Sequence, residues 1–232
     1  MLVAAAFVPV PPLLVPEVAG GSAAADELLR AACRDAVRRM CDAEPDDIAV
    51  LGTGATAGPV QGSWDWRGFG VPLPEAAPAQ RLPHAVAIGS WLLDSCAAPG
   101  MPRRCHTVPT SLPPAACAAL GRELVRGDGR VALLVCGDGS ACRTEKAPGF
   151  FDPDSAAWDD AALAALRTAD AAALLDLDPD AGLRLLAAGR APWQVLAGAA
   201  ADDAFEATVD WADAPYGVLY VAGSWMRKGG AG

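Results

Sequence analysis

Histidine, lysine and tyrosine are scarce, with two of each in 232 residues. Imidazole is the commonest metal ligand, and neither histidine has a second ligand at metal-binding spacing. His84 opens the apolar segment Pro83-His-Ala-Val-Ala-Ile-Gly-Ser-Trp91, and His106 follows Arg103 and Arg104 in a short apolar stretch. Both read as structural histidines. The seven cysteines, Cys33, Cys41, Cys96, Cys105, Cys117, Cys136 and Cys142, include no CxxC pair. An odd count without an export signal predicts reduced thiols in the cytoplasm. Most of them sit in apolar periodic segments, where a thiol packs as a small hydrophobe. Cys142, in a polar glycine-rich loop, is the expected exception. No run of ~18 uncharged apolar residues is free of proline, so no membrane-spanning segment is expected. Positive charge is also short: 18 Lys and Arg against 28 Asp and Glu give a net charge of −10. That balance sets the chain against nucleic acid and anionic lipid. There is no GxSxG nucleophile turn. The segment Gly52-Thr-Gly-Ala-Thr56 lacks the lysine and the full glycine spacing of a phosphate-binding loop.

What is present is a folded, alanine-rich chain. Alanine supplies 52 residues, hydrophobic residues make up 53% and charged residues 20%. This is too apolar for disorder. Apolar runs of strand length alternate with helical periodicity. Leu2 to Val8 reads as a buried strand, and Pro9, Pro11, Pro12 and Pro16 break it off before it could act as an export signal. Ser22 is placed as the cap of a helix reaching Cys41, with Leu29, Cys33, Val37 and Met40 on one face. Ile48 to Leu51 is a second strand, followed by a long Gly/Pro/Trp-rich loop from Ala55 to Arg81. A helix follows from Pro83 to Leu93, then a strand from Cys105 to Pro109 and a helix from Pro113 to Val125. Val131 to Cys136 is the clearest central strand. The chain is mostly helical from Asp152 to Ala201 and ends in two strand-like runs, Phe205 to Trp211 and Tyr216 to Trp225. The expectation is one α/β domain over residues 1–226, a mixed, largely parallel sheet flanked by helices, with a frayed tail over 227–232.

Sites in such sheets gather at the carboxyl ends of strands. Four of these ends carry unusual residues: Pro9 to Pro12, Gly52 to Thr56, Gly137 to Lys146, and Asp210 to Tyr216. The candidates are therefore Val10, Thr53, Thr56, Asp138, Ser140, Cys142, Arg143, Glu145, Lys146 and Asp210. Gly137 and Gly139 permit a turn that a Cβ would obstruct. Asp138 or Glu145 is expected to pair with Arg143 or Lys146, while Arg103 is placed on a surface turn. A cleft holding Arg143 and Lys146 would suit an anionic small molecule.

The opening Ala6-Phe-Val-Pro-Val-Pro-Pro-Leu-Leu-Val-Pro-Glu-Val-Ala-Gly20 resembles the start of the LigB-like group, the class III extradiol ring-cleavage dioxygenases. His84 to Asp94, Gly137 to Gly149, Ala191 to Leu196 and Ala214 to Val218 are similar to segments of an uncharacterised, mainly actinobacterial branch. The resemblance implies a LigB/Memo-like fold. In that group two histidines and a further ligand hold Fe2+ at strand ends, where catecholate and dioxygen bind. Here the first ligand position falls on Val10 and the second near Gly54 to Thr56, neither a histidine. The acid/base histidine position falls on Ala141 or Cys142, and the carboxylate position on Asp210 or Asp213. The resemblance thus implies a protein without its metal. Three readings stay open: a cofactor-free pseudoenzyme holding a small anionic or aromatic ligand or a partner in the ancestral cleft, an enzyme of other chemistry built on Gly137 to Lys146, and a dioxygenase with unusual iron ligands. A homodimer is compatible with any of them.

Overall fold

A computed structural model describes residues 1–20, 24–72, 80–96, 102–201 and 203–229. In chain order its elements are β1 (Leu2–Val8), a 3-10 turn (Pro12–Leu14), α1 (Pro16–Ala19), α2 (Ala24–Asp42), β2 (Asp47–Thr53) and β3 (Gly58–Val60). A second 3-10 turn (Arg67–Phe69), α3 (His84–Cys96), β4 (Arg103–Val108), α4 (Pro114–Leu124) and β5 (Val131–Cys136) follow. The last part holds α5 (Ser155–Thr168), α6 (Ala171–Leu175), α7 (Pro179–Arg184), α8 (Arg190–Ala200), β6 (Phe205–Asp213) and β7 (Tyr220–Arg227). The expected α/β class is the observed one. Among the described residues no helix is long and apolar enough to cross a membrane.

All seven strands join one sheet in the order β3-β4-β2-β5-β1-β7-β6. Strands β4, β2, β5 and β1 are parallel. Strands β3, β7 and β6 pair antiparallel at the flanks. The sheet is therefore mixed and its centre parallel. Helices cover both faces, which is why β1 and β5 read as unbroken apolar runs. Alternate residues serve opposite cores. Phe7, Leu133 and Val135 face the layer of α4, α5, α6 and α8. Ala6, Val8, Leu134 and Cys136 face α2 and α3.

The sheet reverses its winding at β5. Helices α2 and α3, which follow β1 and β2, lie on one face, and α4, which follows β4, lies on the other. Strand β5 then enters between β2 and β1. The loops leaving β1 and β5 therefore diverge to opposite faces, the switch point at whose carboxyl ends α/β proteins place their ligands.

Several expectations shift. Strand β3 forms inside the segment read as loop. It is only three residues long and contains Pro59, so it carries little periodicity of its own. Arg103 begins β4 instead of occupying a turn; it is tied to Asp94 at 2.5 Å and to the Ser90 carbonyl at 3.2 Å. Strand β7 starts at Tyr220, because Ala214 to Leu219 form the turn that returns the chain. It continues through Arg227, and the Lys228 N–H donates to the Ala204 carbonyl at 2.9 Å. The cap assigned to Ser22 and the end of the tail, 230–232, lie outside the described residues. All seven cysteines are free thiols, and Cys33, Cys117, Cys136 and Cys142 are buried.

Helices α4 and α8 touch backbone to backbone. A Cβ on Gly121 would strike the Val195 carbonyl and the Ala199 amide, and one on Gly198 would strike Ala118. Neither neighbour is a side chain that can turn aside. Gly198→Ala is expected to cost about 2 kcal/mol, a fall of roughly 4–8 °C in Tm for a domain of this size. Gly68→Ala, with no atom near the new Cβ, is the matched control and leaves Tm within about 1 °C. Thermal denaturation of the two variants checks both outcomes.

Candidate functional site

The carboxyl ends of β1 and β5 are joined by main-chain and side-chain bonds. The Gly137 N–H donates to the Val8 carbonyl at 3.0 Å, extending the parallel ladder one step past the strands. The Val10 N–H then donates to Asp138 Oδ1 at 2.8 Å. The Val10 carbonyl accepts from His84 Nε2 at 2.7 Å. A carbonyl offers only lone pairs, so Nε2 carries the proton in this contact and Nδ1 of the neutral ring is left as an acceptor. Below this cluster, the buried Arg30 of α2 donates to the carbonyls of Leu13 and Leu14, at 3.0 and 3.1 Å. That anchors the turn following the Val10 segment.

Asp138 is half-buried, and Oδ1 is occupied by the Val10 amide. Its other oxygen makes no hydrogen bond to a described residue. Burial pushes its carboxyl up to about 7, against the opposing pull of the Val10 N–H. Tyr220, at the start of β7, is buried, and its hydroxyl is raised by that burial and by the neighbouring Asp138 charge. Tyr216 lies 6.5 Å from Tyr220, ring to ring, and its hydroxyl donates to Asp26 of α2 at 2.9 Å. On the other side an aromatic row leads to His84: Trp64 to Trp66 at 6.0 Å, Trp66 to Phe69 at 6.4 Å, and Phe69 to His84 at 5.7 Å. The site is a carboxyl at a strand end with phenol and aromatic rings around it.

The structure brings together Val10 and Asp138 and leaves most other candidates elsewhere. Asp138 pairs with neither Arg143 nor Lys146. Arg143 is drawn instead to Asp159 at 3.4 Å. Asp159 is 1% exposed and also accepts from the Ser140 N–H and hydroxyl, both at 2.7 Å. A carboxylate so deeply buried needs every donor it can recruit; its carboxyl is still pushed up to about 6. Ser140 is thus a buried brace for the loop. Cys142 is a packing residue: it is 1% exposed, with Sγ 3.4 Å from the Leu185 carbonyl. Glu145 and Lys146 are exposed and line an outer groove of about 550 Å³ with Thr144, Pro215 and Tyr216. Thr53 is half-buried at the end of β2. Thr56 is exposed, and its carbonyl accepts from the Thr107 hydroxyl at 2.8 Å. Asp210 sits at a bulge in β6 and pairs with Arg39 of α2, three residues short of the strand end. Asp213, at that end, is exposed and accepts from the Ala214 N–H at 2.7 Å.

Gly137 and Gly139 are needed for close approach more than for turn conformation. A Cβ on Gly137 would strike Gly189, and one on Gly139 would strike Leu219. His84 is the residue that sequence reasoning kept out of the site. The signal for it was topological: α3 follows β2, so its first residue must stand at the carboxyl end of the sheet. Tyr216 and Asp26, 190 positions apart, left no local signal.

The donor set does not suit the iron that LigB-like enzymes hold. Among the described residues no three His, Cys, Asp or Glu side chains are grouped to hold a metal. Val10 offers no lone pair from its side chain, and His84 Nε2 is turned to a carbonyl.

No family model matches the chain, and no curated protein matches it. Among solved structures it is similar to the crystal structure of uncharacterized protein JW3007 from Escherichia coli K12. The TM-score is 0.59 at 15% sequence identity, over 97% of this chain and 99% of that one. A likeness at this identity establishes the α/β fold and says nothing of the reaction.

Proposed function

We propose that the chain is a metal-free LigB-like protein that holds a small aromatic molecule in the crevice between β1 and β5. The observation that carries this reading is the chain of contacts His84–Val10–Asp138. At the position the resemblance assigns to the first metal ligand, an apolar side chain stands, and its backbone donor and acceptor are both engaged. The crevice keeps a carboxyl whose second oxygen has no partner among the described residues, with rings on either side, which suits a flat molecule carrying a hydroxyl or amino group. An anionic ligand is less well served, since Arg143 is committed to Asp159 and the chain is strongly acidic. The seven free thiols support a reducing, cytoplasmic setting. A second reading, proton-transfer chemistry in the same crevice, is favoured by a carboxyl lying near neutrality.

Two measurements test the binding reading. The purified protein is expected to carry less than about 0.1 equivalent of iron or zinc by elemental analysis, against ~1 for a built site. It is also expected to form no ring-cleavage product from protocatechuate after anaerobic loading with ferrous iron. A stoichiometric metal held by crevice side chains overturns the proposal. In the second measurement, tryptophan fluorescence follows titration with catechol and with protocatechuate. Catechol is expected to bind at least as tightly, and Asp138→Asn to weaken it about tenfold, or ~1.4 kcal/mol. Tighter binding of protocatechuate, lost in Arg143→Ala, would instead mark an anion site.

Asp138 also predicts a pH dependence. Its folded value of about 7 lies above the unfolded value of ~3.9, so the folded state holds the extra proton between these limits. The stabilisation is complete below pH ~4 and is lost as pH rises through 7. Asp159 acts in the same direction. Asp65, held down to about 2 by Arg67, acts oppositely, but its contribution is already complete by pH ~5. Asp138→Asn cannot titrate. Its Tm relative to wild type is expected to rise by roughly 5–10 °C between pH 5 and 8, about 2–3 kcal/mol. A difference that stays flat over this range contradicts the burial assigned to Asp138.

A further inference from the structure

Far along the loop that carries Asp138, the chain displays large apolar side chains to solvent. Phe150 is 74% exposed and Phe151 is 58% exposed. Leu183 and Leu186, at the end of α7, are exposed beside them. The two segments are in contact. Leu186 packs over Gly149, where an added Cβ would lie 2.9 Å from Leu186 Cδ1. Arg184 bridges to Asp152 and, at 2.9 Å, to Asp154. Phe150 and Leu186 both adopt left-handed backbone, with φ of 61° and 55°. For a side-chain-bearing residue this conformation costs roughly 1–2 kcal/mol, and here it is spent at two residues that place apolar groups outward.

Leu186, which lies against Gly149, also walls a groove of about 180 Å³, lined further by Thr110, Gly182, Leu183, Ala187 and Ala188. A cavity of about 150 Å³ accommodates a benzene ring. One face thus carries both a protruding phenyl and a hole of phenyl size. Knob and hole on the same face can be satisfied twice over by a two-fold axis, which closes the assembly at two copies.

We propose that this face is the dimer interface of the protein, with Phe150 and Phe151 of each copy seated against the Leu183–Ala188 groove of the other. The two rings alone present on the order of 250 Å² of apolar surface. That is roughly a third of the ~800 Å² per partner of a standard interface, the remainder falling to Leu183, Leu186 and the charged rim. The rim is self-complementary. Arg184 and Asp154, with side chains 49% and 68% exposed, can exchange partners across the axis. The remainder of the acidic surface repels, so the dimer tightens as salt is added.

Sedimentation velocity from 1 to 100 µM tests the proposal. The wild type is expected to sediment at twice the chain mass in this range, with a larger dimer fraction at 0.3 M than at 0.05 M salt. Phe150→Gly relaxes the left-handed backbone, so it is expected to keep or raise Tm while weakening the dimer at least tenfold. Phe151→Ser is expected to do the same at unchanged Tm. Arg184→Glu weakens it too, and adding Asp154→Arg to that variant restores it. A wild type that stays monomeric to 100 µM overturns the proposal and leaves the face to a different protein. A Phe150→Gly, Phe151→Ser double variant that still dimerises overturns it as well. Neither result bears on binding in the crevice.

Discussion

The hydrogen bond from the Val10 amide to Asp138 holds the two sides of the crevice together. It joins the turn after β1 to the turn after β5, two segments that the winding of the sheet sends to opposite faces. Were it absent, the Gly137 contact with Val8 would be the last tie between them at this end. The bond draws on a carboxyl withdrawn from water, so the burial that comes with this geometry raises the proton affinity while the Val10 N–H opposes it. Position and chemistry at this point are therefore not independent. Any change that lets water reach Asp138 lowers its pKa and loosens the crevice at once.

Other strand-end loops are held by buried polar side chains, and each has its own partner set. Arg30 fixes the turn after β1 through the Leu13 and Leu14 carbonyls. Arg190, 1% exposed, fixes the segment after β4 through the Thr110 and Leu112 carbonyls and through Gln194 at 2.7 Å. Asp159 fixes the loop after β5 through Ser140 and Arg143. Each buried charge is met by several hydrogen-bond partners, as a charge removed from water requires. Each of these loops is thereby tied to a neighbouring helix by side-chain hydrogen bonds. This also withdraws Ser140 and Arg190, both buried, from any ligand, while Arg143 keeps an exposed edge.

What the sequence made legible follows from periodicity and topology. Strand β5 was read to its exact limits from six consecutive apolar residues, because both faces of the sheet are covered, and α2 from the three- and four-residue spacing of Leu29, Cys33, Val37 and Met40. Parallel pairing placed Gly137 to Lys146 beside Pro9–Pro12 and Gly52–Thr56; the contacts seen are those of Gly137 with Val8 and of Asp138 with Val10. Local composition misled where a contact spans a long separation. Arg143, Glu145 and Lys146 looked like one polar cluster, yet Arg143 answers to Asp159 on α5. The bond between Tyr216 and Asp26 depends on β7 returning beside β1, which no window of residues reveals. Cys142 appeared exposed because its neighbours are polar; the fold tucks it under Leu185. The LigB-like resemblance rests on short segments and remains a reading of those segments, beside a fold that many chemistries share.

The seven thiols give the molecule a built-in reporter of its own opening. Cys33 and Cys136 lie in the layer between the sheet and α2 and α3, and burial raises both far above the ordinary thiol range. Alkylation proceeds through the thiolate, so neither can react until water enters that layer. Cys41 and Cys96, half-buried on the same side, should label first, through local fraying of helix ends. The order in which the cysteines take up a reagent is thus a chronology of unfolding, from helix ends inward to the sheet, read without any added probe.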